Sequence, residues 1–438
     1  MRIASSWTAP AALDLRPASE RRNHTPTLDT PNAQRPPPTT NRPPATPLRL
    51  VSLTVDCHVL LVPDFDVDAC SSAQDDLVVE IHTDEGITGI GETDTNPWVA
   101  RECIRARGSH CMGYGLTEML LGEDPMQPER IWDKLYSGSK MTGRRGALIC
   151  AMGAIDMALW DIRGKALGLP IYQLLGGAVK QHITPYASLL PVGTTVKQQQ
   201  DSIAAKAREA KARGFQAAKM EVCIKGPYAH SGVQGTDDDI VDYIAACREA
   251  VGDDFVMLID VAYTWSHAKE ALRVLNHIEK YDPFFVETPL DIDDLDGHAF
   301  LADHTPIRIA AGEWQNTHWE FLDLADRAKI DVLQPDVGRV GGFTEARKVV
   351  DIAEDRGRLI VPHCWKTGIG IAASAHLCAA TSVCPYIEFL PGELSESALR
   401  RALVADELTM VDGRIALPSK PGLGIELNRD AMSKYTVD

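Results

Sequence analysis

"FVMLIDV", residues 255–261, and "FFVETPL", residues 284–290, are two apolar runs that each carry a carboxylate near their end. Short runs of β-branched and aromatic residues are typical of buried strands, where a charged side chain is not expected. Amphipathic helical segments, such as "TEARKVVDIAEDRG" at residues 344–357, lie between runs of this kind. Strands that alternate with helices predict a parallel sheet.

The same pattern recurs through the second half of the chain. Six further runs are predicted to be strands: "ITPYASLL" (183–190), "AAKMEV" (217–222), "IRIAAGE" (307–313), "DVLQPDV" (331–337), "LIVPHCW" (359–365) and "YIEFL" (386–390). Eight strand–helix units favour a closed (β/α)8 barrel, with an open doubly wound sheet as the alternative. No GxGxxG follows an early strand to support the open sheet. We therefore predict an α/β fold built on a modified (β/α)8 TIM-type barrel.

Changes in composition divide the chain into regions. Residues 1–48 are rich in Pro, Thr, Asn and Arg and have no hydrophobic period, which predicts a disordered, Pro-rich tail. Residues 49–182 begin with alternating strand patterns and continue with helical patterns, which predicts an α+β domain. The barrel is then expected over residues 183–390, which leaves residues 391–438 as a C-terminal segment.

The overall composition excludes several classes of function. The formal net charge is -17, so a nucleic-acid partner is not expected. The ten cysteines form no CxxC pair and no apolar run is long enough to span a membrane. We expect a cytoplasmic protein with reduced thiols and no membrane association. Barrels of this kind often form symmetric assemblies, so a homo-oligomer is expected as well.

Polar residues stand at the ends of the predicted strands. The set comprises Lys219, Glu221, Asp260, Glu287, Glu313, Asp336, His363 and Glu388. Any one of them could be a strand-end residue in a surface ion pair. Seven consecutive strands with the same feature favour convergence at one mouth of the barrel, where such folds carry their chemistry.

Three of these residues are carboxylates on adjacent strands. Asp260, Glu287 and Glu313 would repel one another unless a cation lay between them. Oxygen ligands with no His or Cys among them suit Mg²⁺ and disfavour zinc. The sequence therefore predicts a Mg²⁺ site.

Asp336 and His363 lie on the next two predicted strands. A carboxylate one strand away can bond one imidazole nitrogen and raise the basicity of the ring. The other nitrogen would then be free to act as a base. A purely structural hydrogen bond beneath the site is the alternative.

With these residues in place, the chain resembles the mandelate racemase-like subgroup of the enolase superfamily. The resemblance runs from about residue 50 to the C-terminus. It rests on "TDEGITGIGE" (83–92), on "GAIDMALWDIRGKALGLPIYQLLGG" (153–177) and on the ordered strand-end residues. It implies that the α+β domain is a cap over the barrel and that the C-terminal segment returns to this cap. Loops of the cap would determine the substrate, here residues 63–76 and the neighbourhood of Trp98.

The resemblance also implies roles for the strand-end residues. Asp260, Glu287 and Glu313 would bind Mg²⁺. His363 with Asp336 would be a base on one face of the substrate, in a family whose common step removes a proton next to a carboxylate and gives an enediolate. Lys219 and Glu388 would contact the substrate, Trp98 would line its site, and Glu388 would bond the carboxylate or the enediolate formed from it. Many relatives carry Lys-x-Lys on the second barrel strand, whereas this chain has Lys219 followed by Glu221. Glu221 therefore stands where a lysine base is common.

This departure counts against simple racemisation, which needs a base and an acid on opposite faces. A dehydratase needs one base and an acid that expels the β-hydroxyl, a task open to His363 or to a protonated Glu221. The leading expectation is a Mg²⁺-dependent acid-sugar dehydratase, a lyase that forms a 2-keto-3-deoxy sugar acid. The alternatives are a cycloisomerase, a racemase or epimerase that uses the same enediolate, and a homologue that binds a ligand without turnover.

Overall fold

A computed structural model describes residues 56–61, 75–365, 367–392, 394 and 398–437 of the 438-residue chain. All of them belong to one compact unit. The predicted tail, residues 1–48, lies outside the described residues. The same holds for the predicted specificity loop 63–76, apart from its last two positions, which begin a strand.

Three strands are followed by five helices, and strands then alternate with helices through the second sheet. The strands are β1 (Asp56–Leu61), β2 (Asp75–His82), β3 (Thr88–Thr93), β4 (His182–Ile183), β5 (Pro185–Leu189), β6 (Ala217–Glu221), β7 (Val256–Asp260), β8 (Val286–Glu287), β9 (Ile309–Ala311), β10 (Val332–Leu333), β11 (Leu359–Ile360), β12 (Ile387–Phe389), β13 (Met410–Val411), β14 (Arg414–Ala416) and β15 (Thr436–Val437). The helices are α1 (Pro97–Arg105), α2 (Leu116–Leu120), α3 (Pro128–Ser139), α4 (Ala147–Leu167), α5 (Ile171–Leu174), α6 (Val196–Ala212), α7 (Asp237–Val251), α8 (Ala268–Ile278), α9 (Leu295–His304), α10 (Thr317–Asp326), α11 (Val337–Val340), α12 (Phe343–Arg356), α13 (Gly368–Ala379), α14 (Ala398–Ala402) and α15 (Arg429–Tyr435).

An antiparallel sheet of four strands forms the N-terminal capping region. Its order is β15-β1-β2-β3, so the end of the chain adds a strand to the edge of a sheet built from its beginning. Arg429, at the start of α15, fixes this return by donating two hydrogen bonds of 2.8 and 2.6 Å to the carboxylate of Glu80 on β2. Paired charges with this fork geometry hold both position and orientation.

Helix α4 packs across strand β3 of the cap sheet. Two glycines of that strand make the approach close, because a Cβ on Gly89 would lie 2.1 Å from the carbonyl oxygen of Ala158 and a Cβ on Gly91 would lie 2.1 Å from that of Ala154. Most of the helix is buried as a result. Neither α4 nor any other helix in the described ranges is long and apolar enough to cross a membrane.

Eight parallel strands form the second sheet, in the order β11-β10-β9-β8-β7-β6-β5-β12. Its interior holds one apolar cluster to which seven of the eight strands or their flanks contribute a buried side chain: Tyr186, Ala217, Leu258, Phe285, Ala310, Val332 and Val361. A layer of this kind is typical of a curled parallel sheet. The α/β barrel class and the capping region predicted from the sequence are confirmed.

The sheet has a seam between its first and last strands. The described residues show no ladder of backbone hydrogen bonds between β11 and β12. Several strands are also shorter than the apolar runs that predicted them: "FFVETPL" contributes only Val286 and Glu287. That strand ends because the next residue, Thr288, has a φ of 47°, outside the extended region.

Gly91→Ala should lower the free energy of unfolding by about 1–3 kcal/mol, the usual cost of overpacking. The reason is the clash of the new methyl group with the backbone of α4. Thermal unfolding followed by circular dichroism measures the change. Gly392→Ala is the control, because its Cβ would meet nothing closer than the Arg401 side chain at 3.5 Å. Equal midpoints for the two variants would contradict the tight packing of α4 on β3.

Candidate active site

The carboxyl ends of strands β6, β7 and β8 place three acidic side chains side by side. Parallel pairing sets Glu221 opposite Asp260, and Asp260 opposite Glu287. All three are the last residues of their strands. Because neighbouring strands lie under 5 Å apart, this register concentrates negative charge at one end of the sheet.

Lys219 contacts two of these carboxylates, Asp260 and Glu287, and a third one on β12. Its Nζ is 2.9 Å from Oε1 of Glu287, 3.0 Å from Oε1 of Glu388 and 3.6 Å from Oδ2 of Asp260. The side chain is only 3% exposed. Burial alone would lower the pKa of Lys219, but the carboxylates of Glu287 and Glu388 hold it well above its usual value. Lys219 is therefore a buried ammonium that faces carboxylates, and its predicted contact with substrate stays a prediction.

One lysine does not neutralise the carboxylates around it. Burial and the charge of Glu287 raise the pKa of Asp260, and burial raises that of Glu287. Oε2 of Glu287 is buried and accepts no hydrogen bond among the described residues. An excess of buried carboxylate oxygen is a donor set that suits a hard divalent cation, so these residues fit the predicted Mg²⁺. Asp260, Glu287 and Glu313 would hold it.

Glu313 stands somewhat apart from the other two predicted ligands. Tyr263 donates a hydrogen bond of 2.7 Å to its Oε1, and Nε2 of His363 lies 3.2 Å from its Oε2. Within the described ranges, two other groups bring their ligand atoms within 4.8 Å of one another: Glu221, Cys223 and His230, and Asp94, Asp336 and His363. The predicted triad is not gathered to that distance in this structure.

Unusual backbone conformations follow the strands that carry the predicted ligands. Ala262 and Tyr263, just after β7, have φ values of 40° and 58°. Such values are uncommon for residues other than glycine and are found at functional sites. Here they turn the Tyr263 ring onto Trp314, with 4.3 Å between ring centroids, and bring its hydroxyl to Glu313.

Asp336 and His363 form a hydrogen-bonded pair. Nδ1 of His363 lies 2.8 Å from Oδ2 of Asp336, and Oδ1 of Asp336 accepts from the backbone N–H groups of Gly338 and Arg339 at the start of α11. Burial and Arg339 lower the pKa of His363, but the bond to Asp336 and the charges of Glu388 and Glu313 outweigh them and raise it to about 9. This geometry suits His363 as a base and Asp336 as the carboxylate that orients its ring.

Glu388 connects the two strands at the seam of the barrel. It is fully buried on β12, and its Oε2 accepts a 2.8 Å hydrogen bond from the N–H of Cys364, just after β11. Its Oε1 accepts a 2.6 Å bond from Ser188. Burial raises the pKa of Glu388, but Lys219 and His363 lower it by more. Both oxygens are engaged within the protein, so the predicted contact with substrate stays a prediction.

Glu221 contacts two residues of the loop that follows β6. Its Oε1 lies 2.9 Å from Nε2 of His230 and accepts a weak 3.5 Å contact from Sγ of Cys223. Glu221 is 17% exposed and His230 is 8% exposed. The position predicted for a second acid or base thus holds a carboxylate–imidazole pair.

The cap and the barrel meet beside the predicted ligands. Arg339 forms an ion pair with Asp94, which follows β3, and donates a 3.1 Å hydrogen bond to the carbonyl of Glu313. A cleft of about 300 Å³ at this junction is lined by residues of both regions, including Asp94, Trp314 and Arg339. Trp98 instead lines a separate cleft whose other lining residues all belong to the cap. The structure does not bring Trp98 to the strand ends, and its role in binding stays a prediction.

Four residues of the site, His230, Asp94, Tyr263 and Ser188, are not among the residues predicted from the sequence. His230 lies in an irregular loop, and Asp94 lies in the cap far from the barrel strands in sequence. Tyr263 comes three residues after Asp260, and this short distance from a predicted ligand was a usable signal. Ser188 was visible only as a polar residue within a predicted strand.

Comparisons with known proteins agree with this architecture. The family model described as "Enolase C-terminal domain-like" matches residues 202–431, and "Mandelate racemase / muconate lactonizing enzyme, N-terminal domain" matches residues 66–176. The chain therefore belongs to the enolase superfamily, in its mandelate racemase-like group. The resemblance predicted from the sequence motifs is confirmed.

Relatives and solved structures cover most of the chain. It is 32% identical over 365 residues to the D-galactarolactone cycloisomerase of Agrobacterium fabrum and 31% identical over 359 residues to the arabinonate dehydratase of Saccharolobus solfataricus. Each match covers 82% of this chain and 90% of the relative.

Two solved structures share the fold over a similar length. The 3,6-anhydro-D-galactonate cycloisomerase from Zobellia galactanivorans has a TM-score of 0.76 and 30% identity, and the match covers 90% of this chain and 100% of that one. A racemase from Streptomyces coelicolor A3(2) with bound magnesium has a TM-score of 0.73 and 26% identity, with coverage of 87% and 98%.

Lys219→Met should lower the free energy of unfolding by about 3–5 kcal/mol in Mg²⁺-free buffer, because it leaves buried carboxylates without their counter-ion. Chemical denaturation measures the change. Lys197→Met removes an exposed lysine paired with Asp201 and should change stability by less than about 1 kcal/mol. Equal effects of the two substitutions would contradict the role of Lys219 as a buried counter-ion.

Mg²⁺ should stabilise the protein through Asp260. At a concentration about 100 times Kd, the ion should add about 2.7 kcal/mol to the free energy of unfolding. Asp260→Asn should lose most of this increment, whereas Asp303→Asn, at an exposed carboxylate paired with Lys329, should keep it. Thermal unfolding of each variant with and without Mg²⁺ provides the measurement. A full increment in Asp260→Asn would remove Asp260 from the ligand set.

Proposed function

We propose that the protein is a Mg²⁺-dependent dehydratase of a sugar acid, a lyase that forms a 2-keto-3-deoxy product. The observation that carries this proposal is the Asp336–His363 pair beside the predicted metal ligands. With Nδ1 bonded to Asp336 at 2.8 Å, the remaining nitrogen of His363 points toward Glu313 at 3.2 Å. A base next to a cation site is suited to removing a proton adjacent to a carboxylate.

The chain's own residues would divide the work as follows. Asp336 holds the tautomer of His363, whose Nε2 removes the proton from the α-carbon. Lys219, Glu388 and the amide of Cys364 keep the floor of the site fixed through their mutual contacts. Bound Mg²⁺ would supply electrostatic stabilisation of the negative charge that develops on the substrate carboxylate.

The names of the relatives support a sugar acid as the substrate. The arabinonate dehydratase is similar over 82% of this chain, and the cleft between cap and barrel offers both polar and aromatic side chains. Hydroxyl groups of an aldonate chain would meet Asp94, Asn316 and Arg339 there. The substrate would thus be a five- or six-carbon sugar acid.

A cycloisomerase is the second candidate. It is favoured by the similarity to D-galactarolactone cycloisomerase and to the 3,6-anhydro-D-galactonate cycloisomerase. The two reactions share the removal of the α-proton and differ in the leaving oxygen, which belongs either to a hydroxyl group or to a ring. A racemase or an epimerase has less support, because Glu221 occupies the position where a lysine base is common.

A library of sugar acids and their lactones, supplied with Mg²⁺, tests the proposal. We expect formation of a 2-keto-3-deoxy acid from at least one linear acid and, in D₂O, exchange of its α-proton detected by NMR. His363→Asn should lower both rates by about 10²–10⁴-fold, because the base is removed. The exposed His304 provides a control, and His304→Asn should retain both rates.

Three results would be decisive. No turnover and no exchange on any acid or lactone would refute the enzymatic proposal. Turnover of lactones or anhydro acids alone would establish the cycloisomerase instead. Full exchange in His363→Asn would remove His363 from the mechanism while leaving the reaction class intact.

A further inference from the structure

The loop after β6 carries a histidine that no sequence pattern had connected with the site. Nε2 of His230 lies 2.9 Å from Oε1 of Glu221, and the carboxylate is the more exposed partner of the two, at 17% against 8%. Solvent therefore reaches the carboxylate more readily than the imidazole. The less exposed His230 is therefore placed to support Glu221 rather than to contact a substrate directly.

The barrel holds His230 firmly in this place. Its backbone N–H donates a 2.8 Å hydrogen bond to the carbonyl of Cys223, and its carbonyl accepts bonds from the Gln199 side chain at 3.3 Å and from the N–H of Val233 at 3.0 Å. Gln199 is buried on helix α6. The loop thus folds back onto its own strand and onto the next helix, so the distance between the imidazole and Glu221 is fixed by packed elements.

The pair lies on the opposite flank of the predicted ligand strands from Asp336 and His363. In the sheet order, β6 precedes the three strands that carry or lead into the predicted Mg²⁺ ligands, β7, β8 and β9. Asp336 and His363 follow β10 and β11, on the far side of those strands. A substrate bound at the centre would therefore have one carboxylate–imidazole pair on each side.

We infer that Glu221 and His230 form a second proton-transfer pair, with Glu221 as a catalytic acid and His230 as the positioning residue that shares its proton. This inference rests on the proposed function. A lysine at this position would carry a proton by itself, whereas a lone carboxylate at neutral pH carries none. An imidazole whose Nε2 lies 2.9 Å from Oε1 is able to carry a proton and to hold it beside that oxygen.

The elimination begins at the α-carbon. Nε2 of His363 takes the α-proton, and the bond from the β-carbon to its oxygen breaks, with the electron pair leaving on that oxygen. The oxygen takes the proton held between Glu221 and His230 and departs as water, or as a hydroxyl or carboxyl group when a ring opens. The resulting enol receives a proton at the β-carbon from His363. Its hydroxyl proton returns through solvent to the Glu221–His230 pair.

His230→Gln separates proton transfer from support. Glutamine can still donate an amide hydrogen bond to Glu221, but it cannot deliver a proton to it. With the acid that the wild-type enzyme converts, we expect kcat for elimination to fall about 10²-fold, KM to stay within about twofold, and α-proton exchange to continue. Glu221→Gln should show the same split. His277→Gln, at an exposed histidine of α8, is the matched control and should behave as the wild type.

Unchanged elimination in His230→Gln would overturn the inference, because a donor without a proton to give would then suffice. An equal fall of exchange and elimination would also overturn it, since the loss would be structural. One equivalent of zinc in the purified protein, lost in Cys223→Ser, would show that Glu221, Cys223 and His230 are metal ligands instead.

If the proposed function is wrong, the wild-type protein will show neither turnover nor exchange. This result differs from a failure of the Glu221–His230 inference, in which the wild type remains active. The pair itself is tested without activity by ¹⁵N NMR of histidine-labelled full-length protein. We expect the Nε2 resonance of His230, assigned by its loss in His230→Gln, to shift in Glu221→Gln. An unmoved resonance would exclude the contact on which the inference depends.

Discussion

The buried ammonium group of Lys219 is the constraint on which the site depends. Three carboxylates within 3.6 Å of its Nζ come from three different strands, and their charges could not be enclosed together without it. A lysine is well suited to this position, because it has a flexible side chain and a compact charge that can contact several oxygens at once. Three carboxyl groups around one ammonium group offer more oxygen ligands than Lys219 alone engages, and such an oxygen-rich donor set suits a divalent cation.

Much of the barrel and part of the site could be predicted because both follow a period. Strand-end residues such as Asp260 and Glu287 recur once per strand–helix unit, and parallel strands must place such residues at one edge. His230 follows no period, because its position depends on how one irregular loop packs on helix α6. Trp98 was expected to line the substrate site, but it lines a separate cleft within the cap. A large aromatic residue in the sequence does not show which cleft it will line. The expected homo-oligomer also has no local signal and stays a prediction.

Under the proposed function, the choice between dehydration and ring opening would depend on the cleft between cap and barrel more than on the base and the metal ligands. Both reactions would use the same base and the same cation, so the strand ends do not discriminate between them. What would differ is how the far end of the substrate is held, and Asp94 and Trp314 line the cleft in which it would lie. The matched relatives carry names from both reaction types, in accord with a shared barrel and variable loops.

The seam of the barrel has a mechanical consequence. Strands β11 and β12 lack a mutual ladder among the described residues, and the side chain of Glu388 bonds the amide that follows β11. The side chain that joins these two strands, Glu388, is thus also one of the carboxylates that contact Lys219. Any motion that parts these two strands would break this bond, whereas Glu388 would stay beside Lys219, because β12 pairs with β5 and β5 pairs with β6. Opening of the seam would therefore separate Glu388 from the strand end that carries His363, while the carboxylates around Lys219 stayed together.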